Sequence, residues 1–322
     1  MIVGGLRLFA VAVATAVFTV LPALVSAQDN GVTLPAIQLP DGNSYAPSGS
    51  ASSLAAGQAR SVTLTAKLTE TGEDISRGLV WRVFKPEPDA NGKLPLVATA
   101  QGGSSTFHLD PGTYLVHAAF GRAGATKRIT VGRQGGRENL VLDAGGLKLD
   151  AVLTGGARIP ATKLKFSIYD EQADATGERA LIIPDVSPNT VVRLNAGTYH
   201  VVSTYGSVNA VIRSDIRVEA GKLTEATVEH HAAELTIKLV RESGGEAIAD
   251  TSWSILAESG DPVREIVGAY ASVVLAEGDY TFIAKNRDRI YQKDFTVEAG
   301  RNQEVEVLAS EANSADTIEG AD

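Results

Sequence analysis

The sequence predicts an all-β protein of three tandem β-sandwich modules in an elongated array. Apolar residues recur with a period of two, which places alternate side chains on one face of a strand. Four landmarks recur in the same order three times. No stretch after residue 60 shows a sustained helical period.

The plainest landmark is Leu109-Asp110-Pro111-Gly112-Thr113-Tyr114, which returns as Leu194-Asn195-Ala196-Gly197-Thr198-Tyr199 and as Leu275-Ala276-Glu277-Gly278-Asp279-Tyr280. Its glycines stand 85 and 81 residues apart, a domain-sized period and not a solenoid-sized one. Downstream, Val218-Glu219-Ala220-Gly221-Lys222 matches Val297-Glu298-Ala299-Gly300-Arg301. The first copy is looser there, Val131-Gly132-Arg133-Gln134-Gly135-Gly136. Upstream, Trp81, Phe166 and Trp253 each sit in an alternating run. Each copy opens on another such run: Val62-Leu64-Ala66-Leu68, Leu147-Leu149-Ala151-Leu153 and Leu235-Ile237-Leu239.

The turn chemistry predicts a tight hairpin at each Gly-Thr/Asp-Tyr. Glycine reaches the positive φ that such turns need, and Pro111 restricts the residue before it. One face of that hairpin is apolar or small in all copies: Phe107, Leu109, Tyr114, Val116 and Ala118 in the first, then Val192, Leu194, Tyr199, Val201 and Ser203, then Val273, Leu275, Tyr280, Phe282 and Ala284. The three tyrosines read as corners, each burying its ring and returning its hydroxyl to the backbone. Trp81, Phe166 and Trp253 read as core aromatics; Tyr169, Tyr205, Tyr270 and Tyr291 are less constrained and are candidates for exposure. Each copy yields about seven strands, placed in the second near 146–153, 163–169, 178–184, 190–195, 198–206, 209–218 and 223–230.

The expected division is a signal peptide over 1–27, a spacer over 28–60, modules over 61–144, 145–231 and 232–308, and an acidic tail over 309–322. The leader has Arg7 in its n-region, an apolar run from Leu8 to Leu21, and small residues at Val25-Ser26-Ala27. An uncleaved anchor is the alternative, the only membrane contact expected. The spacer is rich in Gly, Ser, Ala, Pro and Asn and lacks periodicity. Connectors between modules are short, Asp143-Ala144-Gly145-Gly146 and His231-Ala232-Ala233, so a stiff rod is expected.

Composition narrows the function. The chain carries 29 Lys+Arg against 38 Asp+Glu, for a net charge of −9, and shows no basic cluster, which argues against nucleic acid. It has 0 cysteines, which excludes disulfides, thiolate metal sites and cysteine nucleophiles together.

The pattern L-x-x-G-[TD]-Y followed by V-E-A-G-[KR] resembles bacterial extracytoplasmic transthyretin-like and carboxypeptidase-regulatory-like sandwich modules, and is similar to PEGA-type modules. The resemblance covers roughly residues 61–308. It implies an Ig-like or transthyretin-like sandwich in an accessory role: spacer, stalk, or platform for glycans or proteins.

A search for chemistry returns little. His230-His231 is flanked by Glu229 and Glu234, but adjacent residues of an extended segment point to opposite faces and cannot easily share an ion. His108 and His117 flank the first hairpin, both pointing away from its apolar face, where they could approach one another. Asp89-Ala90-Asn91-Gly92 contains part of a calcium-loop pattern but reads as a turn. No nucleophile elbow, zinc helix or phosphate loop is present. No catalytic residue, metal or cofactor is therefore nominated. The expectation is a non-enzymatic exported protein of the bacterial cell envelope, most simply periplasmic, although secretion or the cell surface is open. It would act as a structural or protein-interaction module with an envelope protein or polysaccharide as partner. The alternative is a glycan-binding array, which needs an exposed strip of aromatic rings.

Overall fold

A computed structural model of the protein describes residues 59–310. The expected leader, all but the end of the spacer, and the tail beyond residue 310 lie outside the described residues. Twenty-one strands fill the described chain, with one short 3₁₀ turn at Ala161–Lys163. The fold is three tandem β-sandwich modules.

Module 1 contains β1 (Arg60–Lys67), β2 (Leu79–Phe84), β3 (Leu96–Gly102), β4 (Ser105–Leu109), β5 (Gly112–Phe120), β6 (Ala123–Val131) and β7 (Gly136–Val141). Module 2 contains β8 (Ala144–Leu153), β9 (Leu164–Ala173), β10 (Arg179–Val186), β11 (Val191–Asn195), β12 (Gly197–Tyr205), β13 (Val211–Val218) and β14 (Leu223–His230). Module 3 contains β15 (Ala232–Val240), β16 (Thr251–Ala257), β17 (Pro262–Val267), β18 (Tyr270–Ala276), β19 (Gly278–Asn286), β20 (Arg289–Val297) and β21 (Gln303–Leu308). In the second module the predicted strands differ from these mostly by one to four residues at their ends.

All three modules share one topology. A three-stranded sheet, β4-β1-β7 in module 1, faces a four-stranded sheet, β3-β2-β5-β6. The counterparts are β11-β8-β14 with β10-β9-β12-β13, and β18-β15-β21 with β17-β16-β19-β20. The last strand of each module pairs in parallel with the first, as Val62 to Lys67 runs beside Gly136 to Val141. The other pairings are antiparallel.

This topology corrects one expectation. The segments around each Gly-Thr/Asp-Tyr are not a paired hairpin. β4 pairs with β1 in one sheet, whereas β5 pairs with β2 and β6 in the other. The glycine and tyrosine carry the chain across the sandwich from sheet to sheet. Alternation could not tell the two apart, because strands facing each other across a core turn the same side chains inward as strands lying side by side. His108 and His117 are accordingly in opposite sheets, and His117 Nδ1 pairs instead with Thr126 Oγ1 at 2.9 Å.

Each module has its own core. In module 1, Leu64, Leu79, Trp81, Val83, Val116 and Leu140 pack between the sheets. In module 2 the equivalent set includes Leu147, Leu149, Phe166, Ile168, Leu194 and Val201. In module 3 it includes Leu235, Ile237, Trp253, Ile255, Leu275 and Phe282. Burying one such side chain fully is worth about 1.5–3 kcal/mol, so these alternating stripes hold the sheets face to face without disulfides.

Candidate functional site: the joints between modules

Among the described residues, no group of three His, Asp or Glu side chains stands close enough to hold a metal ion. The repeated residues instead build the corners and the joints, and these are where the chain has a site to describe.

Each corner tyrosine turns its hydroxyl back to the residue four positions upstream. Tyr114 donates to Asp110 O at 3.0 Å, Tyr199 to Asn195 O at 2.9 Å and Tyr280 to Ala276 O at 3.0 Å. Burial pushes all three phenols above their ordinary pKa. Leu109, Leu194 and Leu275 lie buried just before the corners. The corner glycines, Gly112, Gly197 and Gly278, have φ of 157°, 158° and 143°. Trp81, Phe166 and Trp253 occupy the module centres, at most 1 % exposed. Both indoles find a carbonyl where the chain leaves the four-stranded sheet: Trp81 Nε1 donates to Gly103 O at 2.7 Å and Trp253 Nε1 to Gly268 O at 3.0 Å.

Of the less constrained tyrosines, Tyr205 and Tyr291 are buried, Tyr169 is half-buried, and Tyr270 is 55 % exposed. Tyr270 is the one strongly exposed aromatic ring among the described residues, so they present no aromatic strip. Asp89 folds its carboxylate onto the amides of Asn91 and Lys93 at 2.8 and 2.9 Å, which makes that segment a turn with its oxygen already engaged.

The joint between modules 1 and 2 and that between modules 2 and 3 are built from the same contacts. First, the backbone N–H just after the corner position holds the connector: Ala196 N donates to Asp143 O at 2.7 Å, and Glu277 N to His231 O at 2.9 Å. Second, the Val-Glu-Ala-Gly turn closes on the start of its own module, with Gly221 N donating to Ala144 O at 2.8 Å and Gly300 N to Ala232 O at 2.9 Å. These same two glycines lie against the preceding module, beside Thr69 and Thr154. Third, the tip of one module's β5–β6-type hairpin presses on the next module. A Cβ added at Gly121 would meet Arg193 Cβ at 3.0 Å, and one added at Gly206 would meet Val274 Cβ at 2.7 Å. Gly121 and Gly206 both stand seven residues after the corner tyrosine, and Arg193 and Val274 six before it.

Side-chain amides lock each joint. Asn195 of module 2 donates to Gly124 O at 3.1 Å and to Leu142 O at 2.7 Å, and accepts from Gly124 N at 3.2 Å. Across the second joint Asn209 takes this role, donating to the Tyr280 hydroxyl at 2.7 Å and accepting from Ala276 N at 3.0 Å. Arg122 donates to Ile182 O at 2.7 Å, and Lys163 forms an ion pair with Glu234.

The two joints also differ where the hairpin tip meets the next module. At the second, Val274 is 6 % exposed and joins the core of module 2, so the contact is sealed. At the first, Arg193 replaces valine and lays its guanidinium 4.3 Å from the centroid of Phe120, a cation–π contact. Phe120, Arg193, Gly221 and the loop from Thr69 to Arg77 line a cleft there of about 420 Å³.

The two connector histidines face opposite ways, as extended backbone requires. His230 is buried, with Nε2 2.8 Å from Ser203 Oγ and its ring edge-on to Tyr205. Burial, together with the neighbouring His231, lowers its pKa to about 4. His231 lies at the surface with Nδ1 3.6 Å from Glu277.

Comparison by sequence with curated proteins finds no match. Among solved structures the chain is similar to the Bacillus anthracis TIE protein, at 19 % identity over 79 % of this chain and 50 % of that one, with a TM-score of 0.24. It is also similar to a streptococcal ancillary pilin, at 11 % identity over 79 % and 100 % of the two chains, with a TM-score of 0.30. The chain spans about half the length of the first of these. The third module is where a family description matches: residues 234–309 fit the Rhizobiales growth-associated tandem repeat domain.

Proposed function

We propose that the chain is a non-catalytic, exported array of the bacterial cell envelope, acting as a structural spacer or protein-interaction module. The observation that carries this reading is the joint made twice with the same contacts. A connector held at both ends, a hairpin tip in van der Waals contact with the next module and a bridging amide leave little freedom between neighbours, which is what a spacer needs and a binding pocket does not. The leader read over residues 1–27 supports export, and the description of the repeat matched by module 3 supports a role linked to growth in an organism of that order.

The test is fractionation of a C-terminally tagged chain, with mass spectrometry of its N-terminus. The expected result is an envelope or periplasmic product lacking residues 1–27. A full-length product in the cytoplasm overturns the reading. Small-angle scattering of the chain from residue 28 onward tests the spacer role: one fixed length is expected, and an ensemble of freely jointed modules counts against it.

A further inference from the structure

The two joints state a rule for what stacks on what. The module that offers its hairpin tip has glycine seven residues after the corner tyrosine, Gly121 or Gly206, in the left-handed region at φ of 66° or 75°. A side chain there would press on the next module, its Cβ 3.0 Å from that of Arg193 or 2.7 Å from that of Val274. The module that receives the tip offers a backbone N–H just after its corner position, Ala196 or Glu277, to hold the incoming connector.

Both positions change on the two module faces that meet no other module among the described residues. Seven residues after Tyr280 stands Arg287, with φ of 55°. The backbone therefore keeps the conformation of its two glycine counterparts while carrying a Cβ and a guanidinium, a combination that costs on the order of 1 kcal/mol or more in the left-handed region. Asp288 and Arg289 complete a charged tip. At the other end, the position of Ala196 and Glu277 is held by Pro111, which has no N–H to donate. The acceptor residue in the place of Arg193 and Val274 is His108.

We propose that Arg287 and Pro111 are end stops: the outer faces of modules 3 and 1 reject a sandwich module of this same build, including one from a second copy of the chain. An interface that repeats head to tail without closing would grow into open filaments, and repeat arrays avoid this with terminal units whose outer face is polar. Here one face carries a side chain where a neighbour's Arg193- or Val274-type side chain must come, and the other lacks the donor that clamps the connector. A partner that engages either end must do so by contacts other than those of the internal joints.

The experiment uses the chain from residue 28 onward, as wild type, Arg287→Gly, Pro111→Ala and the double variant, with self-association measured by sedimentation equilibrium. Because the chain has 0 cysteines, His108→Cys with Asn286→Cys in each background reports end-to-end contact as a disulfide ladder. The wild type is expected to remain monomeric with no ladder. The double variant is expected to associate at least about tenfold more strongly, a gain of roughly 1.4 kcal/mol, and to give the ladder. A ladder in the capped chain overturns the proposal. So does a double variant that melts as a folded protein yet associates no more than wild type.

Discussion

The side-chain amide of Asn209, on the hairpin tip of module 2, donates to the hydroxyl of Tyr280, the corner tyrosine of module 3, at 2.7 Å. That hydroxyl in turn donates to Ala276 O within its own module. Tyr280 thus serves a corner and a joint at once, whereas the hydroxyl of Tyr114 serves its own corner. Tyr114→Phe removes one net hydrogen bond, about 1 kcal/mol, and Tyr280→Phe also strips Asn209 of its acceptor, for about 1 kcal/mol more. The chain has 2 tryptophans, Trp81 in module 1 and Trp253 in module 3, so their fluorescence in urea reads the two modules separately. Tyr280→Phe is expected to cost module 3 more than Tyr114→Phe costs module 1; equal losses would mean that the cross-joint bond carries no stability.

Trp253 and Phe166 fill equivalent slots with different chemistry. The indole N–H of Trp253 reaches Gly268 O at 3.0 Å, while module 2 places a residue without a donor there. Trp253→Phe leaves that carbonyl without its partner and opens a void, for an expected loss of about 2–3 kcal/mol in module 3. The reverse change, Phe166→Trp, inserts an indole into a closed core and is expected to cost about 1–3 kcal/mol in module 2. Hydrogen exchange of β9 and β16 amides checks both. A neutral outcome for either would show that the slot adapts to ring size.

The period-two pattern made the sandwich fold, its triplication and the approximate strands of module 2 readable from the sequence alone. It could not show that the segments flanking Gly112 belong to opposite sheets, because inward alternation is common to both arrangements. The joints were invisible for a different reason. Gly121 and Gly206 look like ordinary turn glycines, and only the approach of Arg193 and Val274 from the next module shows why a side chain is excluded. Tyr205 continues the inward set of Val201 and Ser203, so alternation does carry its burial; what the sequence does not show is the edge-on contact of its ring with His230.

His230 makes module 2 sensitive to acid. Its pKa is about 4 in the folded chain against an ordinary 6.5, and its Nδ1 meets no hydrogen-bond partner among the described residues. Between these values the unfolded chain binds the extra proton, so stability rises with pH across that window. The contribution is fully present above pH 6.5, is lost as pH falls toward 4, and changes no further below it. The size is on the order of 3 kcal/mol. Hydrogen exchange of β12 and β14 amides should show this loss in the wild type and a flatter profile in His230→Gln. An unchanged pH slope in the variant would assign the acid sensitivity to other groups.

The joint can be separated from backbone strain by two glycines of module 2 with similar backbones. Gly155 has φ of 86° and nothing within 4 Å of an added Cβ, whereas Gly206 has φ of 75° and Val274 Cβ at 2.7 Å. Gly155→Ala and Gly206→Ala both incur the left-handed penalty of about 1 kcal/mol. Only Gly206→Ala also pushes module 3 away, which loosens Asn209 on Tyr280 and the carbonyl of His231 on Glu277 N. Limited proteolysis at His231, the residue between β14 and β15, is therefore expected to accelerate several-fold in Gly206→Ala while the fluorescence of Trp253 stays native. In Gly155→Ala the connector should be cut at the wild-type rate. If the two variants are cut alike, contact between hairpin tip and Val274 is not what holds modules 2 and 3 together.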